Sequence, residues 1–139
     1  MMTTSPRDIA SNGDYDFFYA GLERGELLVQ RCGGCGRLRN PPSPMCPHCW
    51  ALDWRAEAMS GRGVIYSYGV HHHPPLPNLP VPHGYGIIDL AEGIRFAGAL
   101  DGIALERIAI GLPVMAQFIR RGDRPSIRFV EDAGGEARP

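Results

Sequence analysis

Four cysteines spaced Cys-x2-Cys-x10-Cys-x2-Cys, at Cys32, Cys35, Cys46 and Cys49, constrain this chain more than any other feature. The two turns read CGGCG and CPHC, so glycine or proline relieves the backbone where two thiolates must reach one ion. Four soft thiolates in tetrahedral geometry select zinc over harder cations, with iron as the chemical alternative. Two matched pairs, rather than one, argue against free thiols or a thioredoxin-like redox pair. Because four thiolates leave no position open for water, the expectation is one structural zinc per chain and no metal-activated nucleophile. His48, between Cys46 and Cys49, then reads as an exposed turn residue rather than a ligand. Metal binding in such modules is worth on the order of 10–16 kcal/mol, more than the small core of residues 26–58 can supply.

Around this centre the pattern of apolar residues sets the organisation. Residues 1–13 are mostly small and polar. Tyr15 and Tyr19, like Phe18 and Leu22, then lie four apart, which predicts a short amphipathic helix over 14–25 with Asp14 as N-cap and Gly25 as its stop. ELLVQR before the cysteines and LDWRAEA after them, where Leu52, Trp54 and Ala56 alternate with charged residues, predict the strands of a zinc ribbon over 26–58.

From Gly61 the period is two. Val64, Tyr66, Tyr68 and Val70 are expected on one face of a first strand, and Ile94, Phe96, Gly98 and Leu100 repeat the alternation. GYGIIDLAEGIRFAGAL reads as a hairpin broken at Ala91 to Gly93, and two more strands carry Val114, Ala116 and Phe118, then Ile127 and Phe129, about a turn at Gly122 and Asp123. IALERIAIG is expected to form one or two helical turns with Leu105, Ile108 and Leu112 facing inward. Five strands with a helical connection after the third describe a five-stranded OB-fold barrel over 60–131, with an open sandwich as the alternative. The chain is thus read as mainly β. HHHPPLPNLPVPHG is too long and proline-rich for a tight hairpin and is either an ordered excursion or a mobile loop; residues 132–139 read as a disordered tail.

Composition narrows the functions. At 139 residues and 44% hydrophobic content a real core is attainable. A formal charge of −1 removes the bulk attraction behind most non-specific nucleic-acid affinity. All fourteen basic residues are arginine, which excludes a lysine Schiff base and a phosphate-binding lysine. The N-terminus lacks the pattern of a secretory signal, and no run approaches the ~20 apolar residues of a membrane span, so the reading is a cytoplasmic protein.

No catalytic constellation is visible: there is no nucleophile elbow, phosphate loop or dinucleotide fingerprint, and Asp89, Glu92 and Asp101 fall at strand ends without pairing as acid and base. Arg31, Arg37 and Arg39 flank the first cysteine pair, where they either offset the −2 charge of a four-thiolate zinc or bind an anion such as a phosphate. His71, His72 and His73 do not converge on one ion from a strand, so contact with a ligand or partner, His72 above all, is the better reading. Phe17, Phe18 and Tyr19 cover more than one face of the helix and are candidate partner-binding residues, unless this chain packs against both faces itself.

The order of parts is more specific than any one of them: an aromatic helix, RCGGCGRLRNPPSPMCPHC, SGRGVIYSYGVHH, the GIIDLAEGIRFAGAL hairpin and IGLPVMAQF. Over about residues 14–131 it resembles the family of small acyl-CoA-associated proteins that join a rubredoxin-like zinc ribbon to an OB-fold domain. Agreement extends to Pro41, Pro42, Pro47, Gly61, Gly63, Glu92, Gly93, Gly111 and Val114. The resemblance implies a non-catalytic accessory subunit of a thiolase-like enzyme (thiolase, lipid-transfer-type aldolase or acyltransferase) or of a hydratase, with acyl-CoA at the shared interface. If this chain touches CoA, its phosphates need arginines, with Arg37 and Arg39 the candidates. Two other classes stand beside it: a nucleic-acid binder stacking bases on Tyr66, Tyr68 and Phe96, and a free-standing acyl-CoA carrier.

Overall fold

The short helix α1 (Asp16–Glu23) is fixed more firmly at its end than at its start. The structure, a computed structural model, describes residues 14–135. Asp14 is not the N-cap: Tyr15 holds that position without a side-chain cap hydrogen bond, and Asp16 in the first turn supplies the favourable charge instead. At the other end Gly25, at φ +73°, donates to Leu22 O, while Glu26 N donates across to Gly21 O at 2.9 Å. These are the two bonds of a Schellman motif, which needs a residue at home in the left-handed region.

The helix leads into a three-stranded sheet in the order β2-β1-β3, formed by β1 (Leu27–Cys32), β2 (Leu38–Arg39) and β3 (Trp54–Met59). Leu27, Leu28, Val29 and Gln30 are all buried, so this central strand is covered on both faces and reads as a continuous run rather than an alternation. The helix lies close against it: a side chain at Gly21 would come within 2.7 Å of Leu28. Contacts divide the chain into two units, Met1–Ala58 and Met59–Pro139.

The second unit is a closed barrel of β4 (Arg62–His71), β5 (His83–Leu90), β6 (Arg95–Ala99), β7 (Pro113–Arg121) and β8 (Arg124–Glu131), in the order β4-β5-β6-β8-β7. Closure settles the choice between barrel and sandwich. It is made by β4 against β7, where Arg62 pairs with Met115, and by the parallel bridge of Ala99 to Arg128. Val64, Ile65, Ile88, Leu90, Phe96, Leu100, Ile103, Ile108, Val114 and Phe129 fill the interior. Phe129 is fully buried with its ring 5.9 Å from that of Phe96, and Gly98 makes room for it, since a Cβ there would lie 2.6 Å from the Phe129 ring.

Two expectations need correction. The first barrel strand does not keep Val64, Tyr66, Tyr68 and Val70 on one face. A register shift between Ile65 and Ser67 inserts a residue, so Val64 and Ile65 are both buried while Tyr66 and Tyr68 are nearly half exposed. The connection after β6 is a single 3-10 turn, Leu105–Arg107, within the one or two turns expected, and Ile108 is buried as expected; Leu105 is not inward but 36% exposed, and Ile103 is buried instead. Among the described residues no helix is long and apolar enough to cross a membrane.

The proline-rich segment between β4 and β5 is an ordered excursion. A Leu76–Leu79 bridge shapes its tip, Pro74 O and Pro80 O meet ring nitrogens of His71 and His83 at 2.7 and 2.8 Å, and Arg121 reaches Asn78 O. The tail expectation falls mainly on residues 136–139, outside the described residues, as do 1–13.

Candidate metal centre and binding surfaces

The Sγ atoms of Cys32, Cys35, Cys46 and Cys49 all lie within 4.8 Å of one another, with Cys32 to Cys49 at 3.5 Å and Cys35 to Cys46 at 3.7 Å. A tetrahedral zinc with bonds of about 2.3 Å requires sulfur separations of about 3.8 Å. The donor set therefore fits the ion expected from the spacing. Cys32 ends β1, and the turn after it folds back so that Gly34 N and Cys35 N donate to its sulfur at 3.3 and 3.4 Å; His48 N does the same for Cys46 at 3.4 Å. Gly34 is required there, because a Cβ would sit 2.9 Å from Ala51 and 3.0 Å from the Cys49 sulfur.

These amides favour thiolates. The Cys35 and Gly34 N–H groups pull Cys32 down to about 6, and the Cys49 and His48 N–H groups lower Cys46. Cys49 moves the other way: the Ala51 amide lowers it, but the neighbouring Cys32 sulfur and burial together push it up to about 11. Thiolates packed this closely repel one another, and a divalent cation removes the conflict.

The arginines around the centre divide by environment. Arg31 forms a two-pronged pair with Glu57 at 2.7 and 2.5 Å and donates to Gly36 O, which holds Glu57 below the usual carboxylate range. Arg39, only 8% exposed, is committed to the ribbon interior: Nε donates to Gln30 Oε1 at 2.7 Å and Nη2 to Ser43 O at 3.1 Å. Arg37 is exposed and donates to His48 Nδ1 at 2.9 Å, so His48 is engaged away from the sulfurs. Of the two arginines considered for an anion, only Arg37 is open to solvent. His72 is exposed at the end of the first barrel strand, while His71 faces His83 with ring centroids 5.2 Å apart.

Phe17, Phe18 and Tyr19 are half-buried. Phe17 packs on Trp54 at 4.8 Å, and Phe18 makes edge contacts with Tyr15 and Tyr19. The ribbon's most exposed apolar side chains lie elsewhere, on the second cysteine turn and the approach to β3: Trp50 at 74%, Leu52 at 69%, with Met45 and Trp54 beside them in sequence. Trp50 sits at φ +65°, a left-handed conformation uncommon for a bulky residue, and nothing in its sequence context signals this. The nearest signal was two tryptophans within five residues, CWALDW, in a module too small to bury both.

On the barrel, the three carboxylates singled out in the sequence, Asp89, Glu92 and Asp101, are paired with arginines or a backbone amide. Asp89 accepts from Arg95 at 2.9 Å and Glu92 from Ser60 N at 2.7 Å. Asp101 is shared by Arg121, at 2.8 and 3.1 Å, and Arg128, at 3.3 Å; burial pushes its carboxyl up, but the two guanidinium groups outweigh that and hold it low. Of the three residues suited to base stacking, Phe96 is core and Tyr66 lies beneath the Arg95 guanidinium at 3.7 Å, leaving Tyr68. An open groove of about 530 Å³ runs over β4, β5 and β6, lined by Tyr68, Tyr85, Ile87, Ala97 and Ala99 among others.

Residues 20–55 match the family described as the ChsH2 rubredoxin-like zinc ribbon domain, and residues 56–118 the ChsH2 C-terminal OB-fold domain. A solved structure described as the Ltp2-ChsH2(DUF35) aldolase superposes with a TM-score of 0.81 at 37% identity, over 88% of this chain and 97% of that one. Among curated proteins, a probable enoyl-CoA hydratase alpha subunit of Thermomonospora curvata is 41% identical over 110 residues, 79% of this chain and 34% of that protein. The benzoylsuccinyl-CoA thiolase subunit BbsA of Thauera aromatica is 33% identical over 76 residues, 55% of this chain and 52% of that protein. The chain thus spans about a third of the hydratase subunit and about half of the thiolase subunit. With ribbon and barrel matched in the same order, this chain belongs to the DUF35 family of ChsH2-type zinc-ribbon and OB-fold proteins.

Proposed function

We propose that this chain is a non-catalytic accessory subunit that docks onto a thiolase-like or hydratase partner acting on acyl-CoA thioesters and helps assemble the partner's active site. The observation that carries the reading is the exposed tryptophan and leucine, Trp50 and Leu52, on a ribbon whose four thiolates fit a closed structural zinc. A module stapled by a metal and offering large apolar side chains to solvent is built to present a surface. That relatives are described as subunits of a hydratase, a thiolase and an aldolase supports the choice of partner.

The test is capture of partners from native cells by the tagged chain and by Trp50→Ser/Leu52→Ser, with zinc content and melting measured on both. The expected outcome is a thiolase-like or hydratase-like protein in amounts comparable to the chain, with one zinc each. Capture should fall more than tenfold in the variant at unchanged zinc and melting, the loss of a hot-spot contact worth about 2 kcal/mol. Capture of no such enzyme, or equal capture by both chains, would sink the reading.

A further inference from the structure

The histidines of the tract do not meet in one place, but the first of them meets a histidine of the next strand. β4 ends at His71 and β5 begins at His83, and the two are direct partners across the antiparallel ladder at the base of the proline-rich excursion. Side chains so placed start from Cβ atoms about 4.5–5.5 Å apart. The two rings lie with centroids 5.2 Å apart and planes tilted by 38°. Two imidazoles bound to one ion at about 2.1 Å and a tetrahedral angle have centroids about 5.3 Å apart. The rings therefore already stand at the spacing that one shared ion requires.

Hydrogen bonding fixes which nitrogen of each ring is free. His71 Nε2 lies 2.7 Å from Pro74 O, and His83 Nδ1 lies 2.8 Å from Pro80 O. A carbonyl only accepts, so these two nitrogens carry the proton in the neutral rings and the lone pairs sit on His71 Nδ1 and His83 Nε2. Among the described residues neither of the latter has a hydrogen-bond partner. A ring held by donating its other N–H to a backbone carbonyl is the usual arrangement of a metal-bound histidine, since that bond sets the tautomer and makes the remaining nitrogen a better donor to the ion. Burial adds a second sign. His83 is 5% exposed, and a polar nitrogen left without a partner in such a place costs stability unless something binds it. Solvent still reaches that nitrogen, because among the described residues only Arg39 Nη1 is both unpartnered and sealed.

We infer that His71 Nδ1 and His83 Nε2 form a second metal site, which takes a divalent ion of the zinc, nickel and copper group with water in the remaining positions. Imidazole suits these ions, whereas calcium and magnesium call for oxygen donors. Among the described residues only the four cysteines gather three or more side-chain ligands. A site of two imidazoles and water is weaker than four thiolates, so it fills and empties with free metal while the ribbon keeps its ion. Each ring also holds a carbonyl of the excursion, so the ion and the loop of residues 72–82 share the same two side chains. The inference is independent of the docking reading.

Titration calorimetry with zinc on the full chain, already carrying its ribbon zinc, tests it. One further zinc per chain is expected to bind saturably. His71→Ala should weaken that second binding at least tenfold with the first zinc and the melting temperature unchanged, whereas His72→Ala, at the exposed neighbour, should leave it within twofold. Nitrogen NMR of histidine-labelled protein reads the atoms without a variant, and so decides even if His71→Ala melts lower. Before zinc the protons are expected on His71 Nε2 and His83 Nδ1, and zinc should shift His71 Nδ1 and His83 Nε2. No saturable second zinc, second binding within twofold of wild type in His71→Ala, or an equal loss in His72→Ala would overturn the proposal. So would a His83 ring that zinc leaves unmoved, or shifts confined to His72 and His73, which would assign the metal to the exposed tract.

Discussion

The two units reach stability by different routes. In the ribbon, β1 is the one strand buried along nearly its whole length, and the segment from Cys32 to Asp53 is held by sulfur geometry, arginine bonds and a few backbone turns. The barrel has ten buried apolar side chains and closes every strand edge on itself. A small module with little core depends on a point constraint, whereas a barrel spreads its stability over many contacts, each replaceable at moderate cost.

Removing the point constraint should have the largest effect. Cys46→Ser, or chelation of the bound metal, is expected to abolish structure in the ribbon, a loss on the order of 10 kcal/mol, while amide protection in β5 and β8 survives. Hydrogen exchange resolved along the chain reads both units at once; simultaneous loss in both would show that the barrel leans on the ribbon. A core truncation sharpens the contrast from the other side. Phe129→Ala should cost about 3–5 kcal/mol, read as a lower denaturation midpoint, with one zinc per chain still bound.

The smallest effect is expected from acid, and here the units behave alike. Glu57 beside Arg31 and Asp101 beside Arg121 both have carboxyls held below their ordinary values in the folded state. Each stabilises the fold fully above its unfolded pKa of about 4, and that contribution disappears as pH falls through the lower, folded value. The melting temperature should drop below about pH 4, and the drop should be shallower in Glu57→Gln, which is lower at neutral pH and has less to lose. An equal slope in both proteins would show that the pair contributes nothing.

What could be read from sequence follows the range of the interactions. Cysteine spacing, the period-two strands after the first and the turns at Gly93 and Gly122 are local, and the structure has them in place. The inserted residue near Tyr66 left no trace, because one extra residue in a run of apolar and aromatic side chains preserves the look of alternation. Barrel closure depends on pairing between strands distant in sequence, which period alone cannot specify. Arg39 looked like a surface cation because Gln30, nine residues earlier, is the group that makes its burial tolerable. The exposed Trp50 was hidden by the general rule that tryptophans fill cores, and the meeting of His71 with His83 exists only once β4 and β5 are paired.

The seam between β4 and β7 also sets an order of events. Arg62 and Met115 are about fifty residues apart in the chain, so the barrel cannot close until nearly all its strands exist, and topology of that kind folds slowly. The four cysteines span only residues 32–49 and precede every barrel strand. On a ribosome the ribbon can therefore capture its ion and mature first, leaving a finished metal knuckle at the surface while the strands that carry the groove are still being made.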